Sequence, residues 1–371
     1  MLQKWQEIKP ISPYYFFIPK NNELLGEYEK YWKITDIFPV NSVGVVTARD
    51  NFTIKWSPEK VWDTITEFIQ MDTEEARRKF KLGKDARDWK VSFAQKDLRE
   101  SGPDKNKIVP ILYRTFDIRY TYYTGKSRGF HCMPRPEVMK HMLAGENLGI
   151  ITIRRSRDPR DWRYAFVTNK IIAGATAITS LDINYLFPLY LYSNGDKKPN
   201  INSELFKYLK EKYGKVPSPE EIFYYIYAVL HSLTYRKKYE EFLRYDFPRI
   251  PFVDDYEKFK KLSEFGKGLV KLHLMRKKLP TKVKFDVAGS NIVEKVKYEN
   301  GKIWINDKQY FDGVPENVWN FYIGGYQVLN KWLKSRKGRK LDSKDIETFI
   351  QIVEILRETI KIMEEIDKII F

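Results

Sequence analysis

The stretch Tyr113-Arg114-Thr115-Phe116-Asp117-Ile118-Arg119 runs on through Tyr122-Tyr123-Thr124-Gly125-Lys126-Ser127-Arg128-Gly129-Phe130 to Pro134-Arg135-Pro136-Glu137-Val138-Met139-Lys140-His141-Met142. It sets guanidinium and ammonium groups between aromatic rings and glycines, the chemistry of a surface that grips phosphates and stacks on bases or sugars. Its surroundings, residues 89–123, read as mixed and strand-like, and Pro136 opens a short helix that ends near Gly145.

Working outward, residues 1–55 are aromatic and punctuated by Pro10, Pro13, Pro19 and Pro39, which predicts extended segments rather than helices. Ser57-Pro58-Glu59 starts a helix, with Val61, Trp62, Ile65, Phe68 and Ile69 at helical spacing. Residues 148–153, 164–168 and 186–192 are rich in β-branched and aromatic side chains and predict core strands. The polar, turn-prone stretch 193–200 is the best internal boundary. Beyond it, Ser218 and Glu221 form a capping box around Pro219 and launch a helix to about Leu243. A second helix covers about 254–277. Asn300-Gly301 joins two short strands as a hairpin. Two helices close the chain. Asp342 caps the last, whose apolar seam of Phe349, Val353, Leu356, Ile360, Met363 and Ile370 suits packing against Val328, Leu329, Trp332 and Leu333.

The fold class is α+β: a mixed β-sheet body over residues 1–192, a helical section over 193–280, a small β-hairpin unit over 281–322 and a C-terminal helical pair over 323–371. A length of 371 residues favours two or three units, and 43% hydrophobic residues suffice for a sizeable core. Lys and Arg number 66 against 49 Asp and Glu, a formal charge of +17, and a polyanion partner follows, nucleic acid by default. The single cysteine, Cys132, excludes a disulfide framework and fits a reducing, cytoplasmic setting. The longest weakly polar run, 171–181, is too short for a membrane helix, and the N-terminus has no apolar signal core.

Motifs for chemistry are scarce. Gly125-Lys126-Ser127 resembles the end of a phosphate loop, but Tyr120 stands where that loop needs glycine. Gly266-Lys267-Gly268 lies inside a helical pattern and is weak evidence for a nucleotide loop. There is no Pro-Pro dipeptide, which excludes the Asn-Pro-Pro-Tyr signature of adenine methyltransferases. His131, His141, His231 and His273 are scattered, without metal-ligand spacing. Asp254, Asp255 and Glu257 loosely match a nuclease carboxylate cluster, at a helix start where acids also stabilise the helix dipole.

The basic clusters say more. Arg154, Arg155, Arg157, Arg160 and Arg163 put five arginines in ten residues after a predicted strand. Such a loop is suited to reading guanine edges or gripping phosphates, with interspersed aspartates free to pair some of them. Lys334, Arg336, Lys337, Arg339 and Lys340 form a second patch, better matched to phosphates.

The Tyr-Arg-x-Phe-Asp-x-Arg core at 113–119 resembles the C-terminal specificity region of single-chain type ISP restriction-modification enzymes and related adenine methylases. Further blocks resemble the same family in the same order: Thr47-Ala48-Arg49-Asp50, Arg87-Asp88-Trp89, Phe187-Pro188-Leu189-Tyr190-Leu191-Tyr192, Ile226-Tyr227-Ala228-Val229-Leu230-His231-Ser232 and Asp246-Phe247-Pro248-Arg249-Ile250-Pro251. Ile323-Gly324-Gly325-Tyr326-Gln327-Val328 and Lys331-Trp332-Leu333-Lys334-Ser335-Arg336-Lys337-Gly338-Arg339 complete them, so the resemblance spans nearly the whole chain. Two positions depart from the pattern: Thr115 replaces the usual proline, and Met133 stands where arginine is common.

The resemblance implies sequence-specific binding of double-stranded DNA that presents an adenine to a methyltransferase domain of the same polypeptide. Nuclease, motor and methyltransferase motifs are absent, so no catalysis is expected. S-adenosylmethionine, ATP and magnesium would belong to those other domains, and no cofactor is expected here. Arg114, Arg119, Lys126, Arg128 and Arg135 are the expected phosphate and base-edge contacts, with Tyr122 and Tyr123 beside the backbone. Arg154, Arg155, Arg157, Arg160 and Arg163 are the expected readers of sequence, and Arg336 and Lys337 further phosphate contacts. Residues 323–371 would be a helical support docking the methyltransferase. The rivals are a magnesium-dependent nuclease using Asp254, Asp255 and Glu257, and a basic module binding an acidic protein.

Overall fold

The computed structural model describes residues 22–370. Its architecture is α+β, with small sheets and a long closing helix. One four-stranded antiparallel sheet runs in the order Ser42–Val43, Asn184–Pro188, Gly149–Ile153, Phe166–Thr168. A second, mixed sheet runs Ile54–Lys55, Asp117–Tyr122, Ile108–Arg114, Ile171–Ile172, its last pair parallel. Both lean on the larger of two apolar cores, which takes residues from Leu25 to Ile370, on either side of the hairpin at 190–199.

The smaller core gathers Phe52, Val61, Ile65, Phe68, Trp89, Val91, Leu98, Tyr122 and Phe130. It joins the helices Pro58–Gln70, Thr73–Lys79 and Val91–Ser101 to the strand Asp117–Tyr122. Ser57 caps the first of these, its Oγ accepting from the Lys60 N–H at 3.3 Å, and Asp72 caps the second.

Two sequence expectations are corrected here. Within residues 1–55, the part before Asn22 lies outside the described residues, and the rest is not simply extended. Short helices form at Asn22–Tyr28, Ile34–Ile37 and Asp50–Thr53 because Ile34, Ile37 and Phe52 are each drawn into a core. Likewise 89–123 is not strand-like throughout. Val91–Ser101 is a helix that buries Val91, Ala94 and Leu98 on one face, a period the neighbouring aromatic residues obscured.

After the hairpin come the helices Pro219–His231 and Tyr256–His273, which pack face to face. The first carries the full capping box of Ser218 and Glu221, but it stops at Ser232 rather than reaching Leu243. There the Ser232 hydroxyl accepts from the Tyr235 N–H and starts a new helix, Leu233–Lys238. The contact between the two long helices explains Gly266. A Cβ at that position would sit 1.8 Å from the Tyr224 carbonyl oxygen. This glycine therefore permits close helix approach, not a nucleotide loop. Gly266→Ala is expected to force the helices apart and cost about 1–3 kcal/mol or more, read as a lowered urea midpoint.

The hairpin of Lys297–Glu299 and Lys302–Trp304 turns at Asn300 and Gly301, both with positive φ, as their sequence requires. The closing helix Ser343–Asp367 is capped by Asp342, which accepts from the Asp345 N–H at 2.7 Å. Its seam packs mainly on Tyr256–His273 and Pro219–His231. The expected partner, the helix Val328–Lys334, meets it at one end, where Trp332 and Phe349 lie 5.3 Å apart. The Val328–Lys334 helix is too short to cover a seam of that length.

Candidate nucleic-acid interface

The 113–119 motif folds as a tight hairpin. Arg114 pairs with Asp117, the register shifts between Leu112 and Arg114, and Phe116 takes a positive φ of 57° in the turn. A bulky residue holds that backbone only when its surroundings fix it. Here the Phe116 ring packs edge-on against Phe166, and its carbonyl accepts from the Trp332 indole N–H at 3.1 Å.

Asp117, 1% exposed, is the centre of the arrangement. One carboxylate oxygen lies 3.0 Å from Arg119 and the other 3.4 Å from Arg336, which also reaches Asp345 at 3.3 Å. The Arg119 guanidinium stacks 3.7 Å from the Trp56 ring centre and 4.0 Å from that of Tyr113. Arg336 lies 3.3 Å from the Trp332 ring centre, and Arg339 3.8 Å from that of Trp56. Burial pushes both the Arg119 and the Arg336 guanidinium down, with Asp117 opposing the shift in each. The motif thus ties the hairpin to the C-terminal helices, and two expected phosphate contacts, Arg119 of the motif and Arg336 of the second basic patch, face inward.

The rest of the opening stretch divides by exposure. Tyr122 is fully buried, its hydroxyl donating to the Gly102 carbonyl at 2.7 Å, and the Tyr123 hydroxyl donates to Pro134 at 3.0 Å. Lys126 is exposed and ion-paired with Glu100, and Arg128 lies 3.3 Å from Asp88. Arg135 is half-buried in left-handed backbone before the helix Pro136–Leu143.

The arginine loop leaves the strand Gly149–Ile153 and stays at the surface. Arg154 reaches Asp246 at 3.4 Å and Arg157 reaches Asp182 at 3.0 Å, though both side chains remain about two-thirds exposed. Arg155 is exposed, with no side-chain partner among the described residues. Arg160 binds Asp158 and holds its carboxyl down at about 2, while Arg163 donates to the Gly324 carbonyl at 3.0 Å. Both guanidiniums lie over Tyr322, 4.6 and 4.4 Å from its ring centre.

Beside this loop opens a cleft of about 430 Å³, lined by Arg160, Leu181, Tyr322, Tyr326, Lys331 and Lys334 among others. Lys331 and Lys334 share one face of the helix Val328–Lys334, which contains no acidic residue. Arg114 lies close enough to act electrostatically on both Tyr326 and Lys331. Burial pulls the Lys331 ammonium below its ordinary value, and the charges of Arg114 and Lys334 push it further. Among the described residues, none of these three cations has a carboxylate within ion-pair distance. On the rim, Leu181 and Ile183 are 50% and 58% exposed, flanking the Asp182 that holds Arg157. Lys337 is exposed on the turn that follows the helix.

Sequence reasoning named Arg114 and Arg160 but missed Lys331, Tyr322, Tyr326, Leu181 and Ile183. A lysine pair three residues apart on an acid-free helix was the available signal.

The acidic trio does not converge. Asp255 caps the helix Tyr256–His273 by accepting from the Glu257 N–H at 2.8 Å, and Asp254 is an exposed ion-pair partner of Lys212. No group of three or more metal-ligating side chains occurs among the described residues.

A profile of the Type ISP C-terminal specificity domain matches residues 36–365. The chain belongs to this family. As a specificity domain it shares its fold with three solved DNA complexes. The chain of a DrdV–DNA complex is 24% identical, with a TM-score of 0.72 over 89% of this chain and 36% of that one. A nuclease-deletion mutant of the Type ISP restriction-modification enzyme LlaGI, bound to a DNA substrate mimic, is 20% identical, with a TM-score of 0.71 over 98% and 36%. The ATP-dependent Type ISP enzyme LlaBIII, bound to DNA, is 19% identical, with a TM-score of 0.71 over 91% and 24%. The specificity domain therefore spans about a third or less of the length of these relatives. Among curated proteins, none matches the sequence. No described helix is long and apolar enough to cross a membrane.

Proposed function

We propose that this specificity domain binds double-stranded DNA in a sequence-specific manner, presents an adenine to a methyltransferase domain, and carries no catalysis of its own. The observation that carries the reading is the cleft beside the arginine loop. Lys331 lies there within the charge of Arg114 and Lys334, and among the described residues none of the three has a carboxylate within ion-pair distance, an arrangement that a polyanion relieves. That the DrdV, LlaGI and LlaBIII structures with this fold hold DNA supports the same reading.

In this reading the roles follow exposure. Lys331, Lys334, Arg114 and Lys337 grip phosphates, while Arg154, Arg155, Arg157 and Arg160 on the exposed loop reach base edges. Lys126, Arg128 and Arg135 flank the duplex. Arg119, Tyr122, Tyr123, Arg163 and Arg336 hold the surface in shape. The helices over 323–371 dock the methyltransferase.

Binding to a duplex across a salt series tests this. Log K is expected to fall steeply with log salt, with a slope near −0.9 for each phosphate neutralised. The Lys331→Ala, Lys334→Ala double variant is expected to make that slope shallower by about two. Arg155→Ala is expected to relax preference among sequences at a cost of about 1–3 kcal/mol on the preferred site. Salt-independent or absent binding would sink the proposal. Magnesium-dependent cleavage lost in Asp254→Ala would replace it with the nuclease reading.

A further inference from the structure

A second cavity of about 500 Å³ shares Tyr322 with the cleft in its lining. Its lining includes Trp162, Arg163, Arg236, Lys237, Asn317 and Asn320. Arg236 is only 8% exposed, yet among the described residues the one hydrogen bond of its side chain is from Nε to the Leu230 carbonyl at 2.6 Å. No carboxylate lies within ion-pair distance of it among the described residues. The nearby Asp367 is already spent, accepting from the Ser232 hydroxyl at 2.5 Å and from the Leu233 and Thr234 N–H groups at 3.2 Å each.

Two further donors are equally unspent. Among the described residues, the indole Nε1 of Trp162, a residue 1% exposed, has no hydrogen-bond partner, and neither has Nη2 of Arg163. Arg163 and Asp158 approach only to 3.7 Å, and Asp158 belongs chiefly to Arg160. Of the acids at the cavity, Glu240 accepts from Arg244 at 2.6 Å and Asp161 is exposed. A buried cation without a counter-ion is costly, as is a buried N–H without an acceptor. Both costs vanish when an anion with several acceptor oxygens enters.

We propose that this cavity is a binding site for a phosphoryl group, held by the guanidiniums of Arg236 and Arg163 and the indole N–H of Trp162. A carboxylate offers two oxygens, whereas a phosphoryl group offers three to these three side chains. Lys237, Asn317 and Asn320 lie at the wall for whatever the phosphoryl group is attached to. Burial, with the charge of Arg163 adding, already pulls the Arg236 guanidinium down to about 10, a penalty that a bound dianion removes. The group has two possible sources: a free phosphate-bearing small molecule, or a backbone phosphate of DNA leaving the neighbouring cleft.

The test titrates inorganic phosphate against the full chain at constant ionic strength and follows thermal unfolding. Alongside it, duplex DNA is titrated across salt. A free ligand predicts a rise in the unfolding midpoint of about 1–3 °C at phosphate well above its Kd. That rise should be absent in Arg236→Met and reduced in Trp162→Phe, which keeps the packing and loses the donor. A backbone phosphate predicts instead that Arg236→Met and Trp162→Phe weaken duplex binding, the first by about tenfold with the salt slope shallower by about one. Phosphate and chloride acting alike on the midpoint, together with duplex binding unchanged in both variants, would overturn the proposal. The Lys331→Ala, Lys334→Ala variant keeps the two readings apart. Loss of DNA binding there with the phosphate effect intact leaves this site standing alone.

Discussion

Asp117→Ala is expected to destabilise the protein by about 3–5 kcal/mol, because it leaves two buried guanidiniums without their shared counter-ion. Arg119 at 3.0 Å and Arg336 at 3.4 Å both depend on this one carboxylate. Among the described residues Arg119 has no other carboxylate within ion-pair distance, whereas Arg336 keeps Asp345. The loss should therefore fall chiefly on the hairpin and its stack with Trp56 and Tyr113. Asp117→Asn keeps an acceptor and the shape, so a smaller loss is expected. Adding Arg336→Met to the alanine variant should restore part of the stability, since one uncompensated charge is then removed. Urea midpoints of the four proteins measure this. An alanine variant as stable as the parent would show that the tie contributes nothing.

The second large effect is acid lability. His131 and His273 are buried neutral, burial holding each imidazole down at about 3, and burial holds His231 well below its ordinary value. The hydrogen bonds suit the neutral form. Thr359 donates to the Ile355 carbonyl, so it accepts from His273 Nε2, which leaves Nδ1 to accept from the Tyr227 hydroxyl at 2.6 Å. Thr121 donates to Thr53 and accepts from His131 Nε2, and among the described residues His131 Nδ1 has no partner. In the unfolded chain the His131 and His273 rings take a proton near pH 6.5, while in the folded protein they do not until about pH 3. The unfolded state therefore binds more protons across that window, and stability falls as pH drops through it. Each ring contributes about 1.4 kcal/mol per pH unit, so His131 and His273 together remove about 4 kcal/mol by pH 5, and His231 acts in the same direction. That is a large share of the stability of an ordinary domain. Urea unfolding at pH 7.5, 6 and 5 should show the decline, and His273→Gln should make it shallower. A midpoint flat across that range would refute it.

What could be read in the sequence was local. The caps at Ser57, Ser218 and Asp342 and the Asn300-Gly301 turn depend on neighbours a few residues away, and the structure has them where the spacing puts them. The helix Val91–Ser101 was hidden because its buried face is short and lies between aromatic segments of strand character. The arginine density of 154–163 was plain, but which side chains remain available was not. That depends on Asp182 and Asp246, which stand 25 and 92 residues away from their partners. The same holds for the 113–119 motif. Its guanidiniums and rings looked like a surface until Trp56, Trp332 and Arg336 closed over them.

That closure also sets a schedule for synthesis. Asp117 and Arg336 are 219 positions apart, so at 5–20 residues per second a ribosome needs about 10–45 s to add the second after the first. Until then the nascent hairpin carries Asp117 and Arg119 with half of their ion network missing and the Phe116 carbonyl without its indole donor. A chaperone or a pause in translation would find its substrate in that interval. A release of the chain before residue 332 would leave a head that has every strand of its two main sheets but lacks the clasp that shuts them.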